Sequence, residues 1–428
     1  MKLGCSEIDI TPDIPVLMGG YGAREEPARG IAKPLSGRSF FLSSKGLQVG
    51  LIIAELVLFD KEQVDRIRER AAELTGIPAG KIIVACTHTH SGPALRNYGD
   101  LGGKPIAGYE GPDEDYINYL IKALAGSLLM AKDDLEDVRL GAAVAEIDNV
   151  GKNRRDPSLE VDNQLTVLAF ATGDGNPKAI IFNYSCHPTV LGADNLLISP
   201  DFPGAAVETL RKIYPEAVAS FTNGAPGDIS TRFTRRSQTL GEAERLGTIL
   251  GSRVAELVAG MEFKEVADNE IAYHSLSLDI DFKDFPPVEE LEEKIAEAKE
   301  ELTRLEGEGA EPGRMRIALT ALQGAQIQKI IAENLSHFEK TGEFDVFRLG
   351  PAGIVSMPGE LFSRLARSIK DQSPLEFPFV IGYANGHLGY IPDRASYQQG
   401  GYEVLSTPLA PGFGEKIVAR VSEAWEIV

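Results

Sequence analysis

Six histidines are spread over 428 residues, and two of them stand two apart at the end of an apolar run. Residues 81–93 read KIIVACTHTHSGP. The run from Ile82 to Cys86 is short, continuous and apolar, entered from Gly80 and closed by Ser91-Gly92-Pro93, as a strand buried on both faces would be. If extended geometry persists beyond Cys86, residues two apart share a face. His88 and His90 would then project together, with Thr87 and Thr89 turned away. Neutral imidazole is a common ligand of zinc, and the mouth of a buried strand is where open α/β sheets bind ligands. A single histidine near a strand end is more often a hydrogen-bonded structural residue. The paired spacing followed by Gly-Pro is what sets a metal or catalytic role beside that plainer reading.

Other polar residues stand where apolar runs stop. His187 lies in NYSCHPT (183–189), and Glu360 closes MPGE (357–360) where a strand gives way to a helix. Helix dipole and capping would account for Glu360; so would metal ligation. Catalytic zinc takes three nitrogen or oxygen ligands and keeps a position open, so such a set is chemically sensible. The glycine-rich loop TNGAPGDIS (222–230) lacks the Gly-Lys-Ser/Thr ending of a P-loop. It is either a tight turn or a source of backbone N–H groups for a developing oxyanion. Adjacent arginines in a turn, Arg154 and Arg155, are usually solvated, and pairing with a substrate carbonyl is the alternative. Asp201 caps the helix that follows it or orients a histidine from behind. Cys86 and Cys186 neighbour histidines, yet at the ends of apolar strands a free cysteine packs as a small hydrophobe. A second enzymatic arrangement makes Ser230 a nucleophile with His90 or His187 as base, and an ester hydrolase or a non-catalytic metal-binding module also fits these residue types.

The elements that must position these groups follow from periodicity. A strand over 50–58, a helix over 61–74 capped by Asp60, and the histidine-bearing strand suggest a parallel crossover unit. Residues 97–112 read as a long surface loop and 18–22 as a glycine-rich loop that covers a site or simply turns. Helices are expected over 113–132, 201–213, 241–257 and 415–425. Strands are expected over 138–147, 217–221, 271–280, 347–349, 353–357 and 377–383, with a hairpin joining 165–172 to 178–184. After Pro286-Pro287 the apolar positions Val288, Leu291, Ile295, Ala298, Leu302 and Leu305 alternate three and four apart. Residues 286–336 therefore read as a helical hairpin, packing on itself or on a second copy of the chain. The fold class is α/β: a mixed, largely buried β-sheet core with flanking helices, a metal site at strand ends and an inserted helical hairpin. Residues 1–285 and 337–428 form a single catalytic domain.

The formal net charge of −20 argues against a nucleic-acid partner or an anionic membrane surface. Three scattered cysteines do not make a disulfide framework. No apolar stretch of about 18 residues suggests stable membrane insertion, and no apolar leader is seen, so a cytoplasmic location is expected.

In order along the chain, DITP (9–12), MGGYG (18–22), THTHSGP (87–93), Asn153-Arg154, CHPT (186–189), NGAPGDIS (223–230), MPGE (357–360), YANGHLGY (383–390) and YEV (402–404) resemble the catalytic domain of the neutral ceramidase family. These are zinc-dependent N-acylsphingosine amidohydrolases, and the matches span about residues 5–405. The resemblance implies an α/β domain with one zinc ion per chain, held by His88, His187, Glu360 and Tyr390. It places His90 beside the attacking water and Arg154 and Tyr402 at the scissile carbonyl of a small-molecule N-acyl substrate. Two stretches depart from the family. After the aspartate the family loop usually continues Ser-Pro-Asn, whereas here Ser230 leads into Thr231-Arg232. The glycine-rich continuation after HSGP is replaced by Ala94-Leu95-Arg96. The export signal, Ser/Thr-rich stalk and C-terminal β-sandwich of the ceramidases are not seen either. The metal chemistry therefore transfers more readily than ceramide itself.

Overall fold

The computed structural model of the chain describes residues 1–96 and 111–428, so the loop expected over 97–112 lies almost wholly outside them. The chain begins with β1 (Lys2–Asp9), β2 (Ser36–Ser44) and β3 (Leu47–Ala54), paired antiparallel in turn. Helix α1 (Lys61–Thr75) then carries the chain to β4 (Ile82–Cys86), which lies parallel to β3 at the edge of the sheet. The start of α1 is set by a capping box: Asp60 accepts from the Gln63 N–H at 2.8 Å, and the Gln63 side chain accepts from the Asp60 N–H at 3.1 Å. Gly76, at φ 77°, ends the helix. Val64, Ile67 and Ala71 fall on one stripe and are buried. Helix α2 (Glu114–Asp133), capped by Asp113, packs beside α1. The strand expected over 50–58 stops at Ala54.

The same plan recurs twice. β5 (Arg139–Glu146), β6 (Gln164–Ala171) and β7 (Pro177–Tyr184) pair antiparallel, α3 (Asp201–Ile213) crosses over, and β8 (Val218–Asn223) joins parallel to β7, with α4 (Leu240–Ala259) packed on α3. In the last third, β9 (Ile271–Asp279) is followed by α5 (Val288–Gly307) and α6 (Pro312–Asn334) before β10 (Thr341–Leu349) and β11 (Ala352–Ser356). These three strands pair antiparallel. Helix α7 (Ser363–Asp371) then leads to β12 (Phe377–Ile381), parallel to β11. The short helices α8 (Arg394–Gln399) and α9 (Tyr402–Leu405) precede α10 (Phe413–Trp425).

Each sheet buries one face under its own helices and turns the other to a common centre. Phe40 and Ile83 of the first sheet, Leu168 and Phe170 of the second, and Phe347 and Phe379 of the third belong to that one shared core. The ends of the three parallel edge strands are laced together. Cys86 N–H donates to Tyr383 O at 3.2 Å, Gly382 N–H to Asn223 O at 2.8 Å, and the Asn223 side-chain amide to Thr87 O at 3.2 Å. Polar residues that follow β4, β8 and β12 are thereby delivered to one place. Helices α5 and α6 pack along each other, and α6 also packs on α9, where Gly324 lies against Leu405. Of the heptad stripe on α5, only Leu291 and Leu305 are buried. Among the described residues, no helix is long and apolar enough to cross a membrane.

Candidate metal centre and its cleft

The two histidines after β4 meet, although not by strand alternation. The strand ends at Cys86, and His88 takes a left-handed conformation with φ 69°. Such a backbone costs a non-glycine residue about 1–3 kcal/mol and persists only when its surroundings hold it. Here His88 N–H donates to Leu56 O at 2.9 Å, its Nδ1 lies 2.7 Å from Val57 O, and the Tyr383 ring stacks on its imidazole at 3.8 Å and 10°. The His88 and His90 Nε2 atoms then stand 3.0 Å apart.

His187, after β7, is held through Nδ1 by the carbonyls of Pro226 at 2.6 Å and Ile229 at 3.1 Å. This is what the 222–230 loop does. Its Gly224, Ala225, Gly227 and Ile229 N–H groups are engaged within the protein, so those four are not donors for an oxyanion. Gly227 has to be glycine, because a Cβ there would lie 2.4 Å from Glu360 O. Glu360 is not a helix cap: it pairs in parallel register with Tyr390, and its N–H donates to Gly389 O at 2.9 Å. One carboxylate oxygen lies 2.9 Å from His187 Nε2, and the other 3.7 Å from His387 Nε2.

With Nδ1 of His88 and His187 facing backbone carbonyls, each ring carries its proton there and presents a bare Nε2. Burial pushes both imidazoles down to about 3, so both are neutral in ordinary buffers. Ligand atoms of His88, His90 and His187 all lie within 4.8 Å of one another, and such a group can hold a metal ion. The Glu360 carboxylate against His187 adds an anionic oxygen. Bare nitrogens crowded with a carboxylate on buried side chains are unfavourable alone and suited to a cation. His90 Nδ1 is buried without a partner.

Arg154 is not a solvated turn residue. Its Nε donates to Glu403 Oε1 at 2.6 Å, Nη1 lies 3.4 Å from His187 Nε2, and Nη2 is buried without a partner. Its guanidinium sits 5.2 Å from the centre of the Tyr390 ring, and Tyr402 stands edge-on to Tyr390 at 5.9 Å. Burial pushes the Tyr402 phenol up to about 12. All seven residues singled out in the sequence, His88, His90, Arg154, His187, Glu360, Tyr390 and Tyr402, thus come together. They border or adjoin a cleft of about 140 Å³ that opens to solvent, walled on its apolar side by Val57, Leu58, Leu95 and Ile327.

Four other residues belong to the site and escaped sequence reasoning. His387 lines the cleft, is 10% exposed, and has an unpartnered Nδ1; its rarity as one of six histidines was the available signal. Glu403 balances Arg154, and Tyr383 clamps His88. Tyr21 lies edge-on to His90 at 4.8 Å, and its hydroxyl donates to Leu191 O at 2.8 Å. The glycine loop before it presses on His90, since a Cβ on Gly20 would sit 2.5 Å from His90 Cγ. Asp201 neither caps in the usual way nor touches a histidine. Its carboxylate accepts from the Leu191 and Phe202 N–H groups at 3.1 and 2.7 Å and so fixes the segment on which Tyr21 rests. Cys86 and Cys186 are buried with their thiols pushed up by burial, as packing residues are. Ser230 Oγ accepts from Arg232 N–H at 3.3 Å, and no hydrogen bond joins it to a histidine among the described residues.

Residues 1–242 match the family model described as neutral/alkaline non-lysosomal ceramidase, N-terminal. The chain belongs to this ceramidase family. The neutral ceramidase of Pseudomonas aeruginosa is 22% identical over 96% of this chain and 69% of its own length. Neutral ceramidase 1 of Arabidopsis thaliana is 24% identical over 51% of this chain, a match that spans only 30% of the plant protein. The crystal structure of the Pseudomonas enzyme superposes on the whole of this chain and 75% of that one, with a TM-score of 0.75 and 18% identity. A structure described as ceramidase complexed with C2 gives the same TM-score at 17% identity. This ceramidase-family chain therefore shares the fold of those enzymes.

Proposed function

We propose that the chain is a zinc-dependent amidohydrolase that cleaves an N-acyl amide bond, with ceramide or another N-acyl amine as substrate. The observation that carries the reading is the convergence of bare imidazole nitrogens and the Glu360 carboxylate at one cleft of a ceramidase-family chain. His88, His187, Glu360 and Tyr390 would hold the ion, leaving His90 for proton transfer. A bound zinc ion would bring the pKa of a water to about 7 and polarise the amide carbonyl.

The chain's own residues do the rest. His90, with Nδ1 unpartnered and Nε2 directed at His88, takes a proton from the attacking water and passes it to the leaving amine. Arg154 Nη2 is a buried donor with nothing to donate to, and it can receive the charge that develops on the carbonyl oxygen. Glu403 fixes the Arg154 guanidinium in place, and Tyr402 bounds the same side of the cleft. The apolar wall of Val57, Leu58, Leu95 and Ile327 gives an acyl chain somewhere to lie.

The test is hydrolysis of a panel of N-acyl amines by protein reconstituted with zinc and by the same protein after chelation. Release of acid and amine only in the zinc-loaded sample supports the reading. Turnover that survives chelation contradicts it, and so does a folded, zinc-replete sample inert toward every amide.

A further inference from the structure

Three arginines outside the lining of the cleft, two of them on backbone carbonyls of the segments that carry Arg154 and His187, have no part in that chemistry. Arg232 and Arg235 follow Ser230, whose backbone bridges to His187. The turn that carries them is held by hydrogen bonds. Ser230 Oγ accepts from Arg232 N–H, Arg235 N–H donates to Thr231 O at 2.8 Å, and the Thr234 hydroxyl donates to Val150 O at 2.5 Å. Arg232 Nη1 reaches the backbone carbonyl of Arg154 at 3.3 Å, and Arg235 Nη1 donates to that of Thr189, two residues after His187. The third, Arg316, comes from α6. It precedes the cleft-lining Ile327 by eleven residues, which at about 100° each returns it to within about 20° of the same helix face, roughly 16 Å along the axis.

None of the three forms an ion pair with a carboxylate among the described residues. Burial and the repulsion among them and Arg154 both hold Arg232 below the ordinary guanidinium range, and burial with Arg316 acts likewise on Arg235. The chain has 63 acidic residues against 43 lysines and arginines. Carboxylates are plentiful, yet those that act on these arginines are Glu403, already bonded to Arg154, and the buried Asp201, whose oxygens are taken by backbone N–H groups, so the positive charge is under-compensated and favours an incoming anion. A buried hydroxyl at the same turn, Thr231 Oγ1, also lacks a partner.

We propose that Arg232, Arg235 and Arg316 form a subsite for an anionic group on the substrate, so that the chain selects N-acyl amines bearing a carboxylate or a phosphate over neutral ones. Guanidinium forks pair with either group through two parallel N–H bonds. The proposal rests on the amidohydrolase reading for the position of the amide bond, but the affinity it describes needs no turnover.

Calorimetric titration tests it, with N-octanoylglycine, N-octanoyl-phosphoethanolamine and the neutral N-octanoylethanolamine against zinc-loaded and chelated protein. At low salt at least one anionic ligand should bind about tenfold or more tighter than the neutral one, the scale of one charge-assisted contact. The stronger of the two names the group. The preference should shrink as salt is raised and should fall toward unity in Arg232→Gln and in Arg316→Gln, the latter an exposed helix position. Equal affinity for all three ligands, or a preference that outlasts both substitutions, overturns the subsite. Amide hydrolysis without anion preference would remove the subsite and leave the function. Anion preference without hydrolysis would do the reverse.

Discussion

Glu360 touches His187 and His90 touches His88, and their substitutions should part company. Glu360 is 7% exposed at its side chain and has one oxygen on His187 and the other toward His387. Glu360→Gln removes the only negative charge in contact with the imidazole cluster among the described residues, so zinc content should fall with activity. His90→Gln should keep zinc near wild-type content and lower turnover by about 10²–10⁴-fold, as expected for a proton-transfer group. Metal analysis per chain separates the two, and loss of zinc in the His90 variant would make His88, His90 and His187 the ligand set instead. The sequence brought His88 and His90 together through a wrong intermediate. Alternation beyond Cys86 does not happen, because His88 turns left-handed under the grip of Val57 and Tyr383. For Arg154 the spacing alone favoured a solvated turn and only the family resemblance pointed to the site, because its partner, Glu403, lies 249 residues away and leaves no local trace.

At the scale of elements, local signals were reliable where the chemistry is local. The Asp60 capping box and Gly76 bracket α1 within a residue of the expected bounds. Asp60→Ala should cost about 1 kcal/mol of unfolding free energy by denaturant titration, the usual loss for an N-cap. Strand ends were less visible. Where β3 and β12 stop is decided by which backbone groups the neighbouring sheet takes up, as when Gly382 N–H is claimed by Asn223 O. A charge cluster ties the first sheet to α3. Glu7 bonds Arg38 at 2.8 Å and Arg211 at 2.7 Å. Burial pushes the Glu7 carboxyl up, but the two guanidinium groups outweigh it and hold the pKa below the ordinary carboxylate range. A depressed pKa gives stability that is present above the unfolded value of about 4.3 and is lost as pH falls through the folded value. Glu7→Gln should therefore be less stable than wild type at pH 6, with the gap closing toward pH 3. A gap independent of pH would show that the cluster acts by packing alone.

For the whole molecule, the decisive feature is that three sheets of one plan turn their inner faces to a shared core and their parallel strand ends to a shared site. Nothing in the sequence states this, since no internal repeat is apparent and the convergence joins segments hundreds of residues apart. An apolar run predicts a buried strand; it does not say which other sheet buries it. Phe379 lies on β12 in the common core and is 2% exposed. Phe379→Ala should cost about 3–5 kcal/mol, and because three sheets meet there, it should loosen zinc binding as well as lower the melting temperature. Unchanged metal affinity in a folded Phe379 variant would mean that the site is rigid independently of the core.

The most direct test is metal stoichiometry and amide hydrolysis measured together on wild type, His187→Gln and Glu360→Gln. The account predicts one zinc per wild-type chain, with release of an N-acyl amine's acid and amine, and loss of both in each variant. Wild-type protein that binds no zinc, or either variant retaining full zinc and turnover, would contradict it.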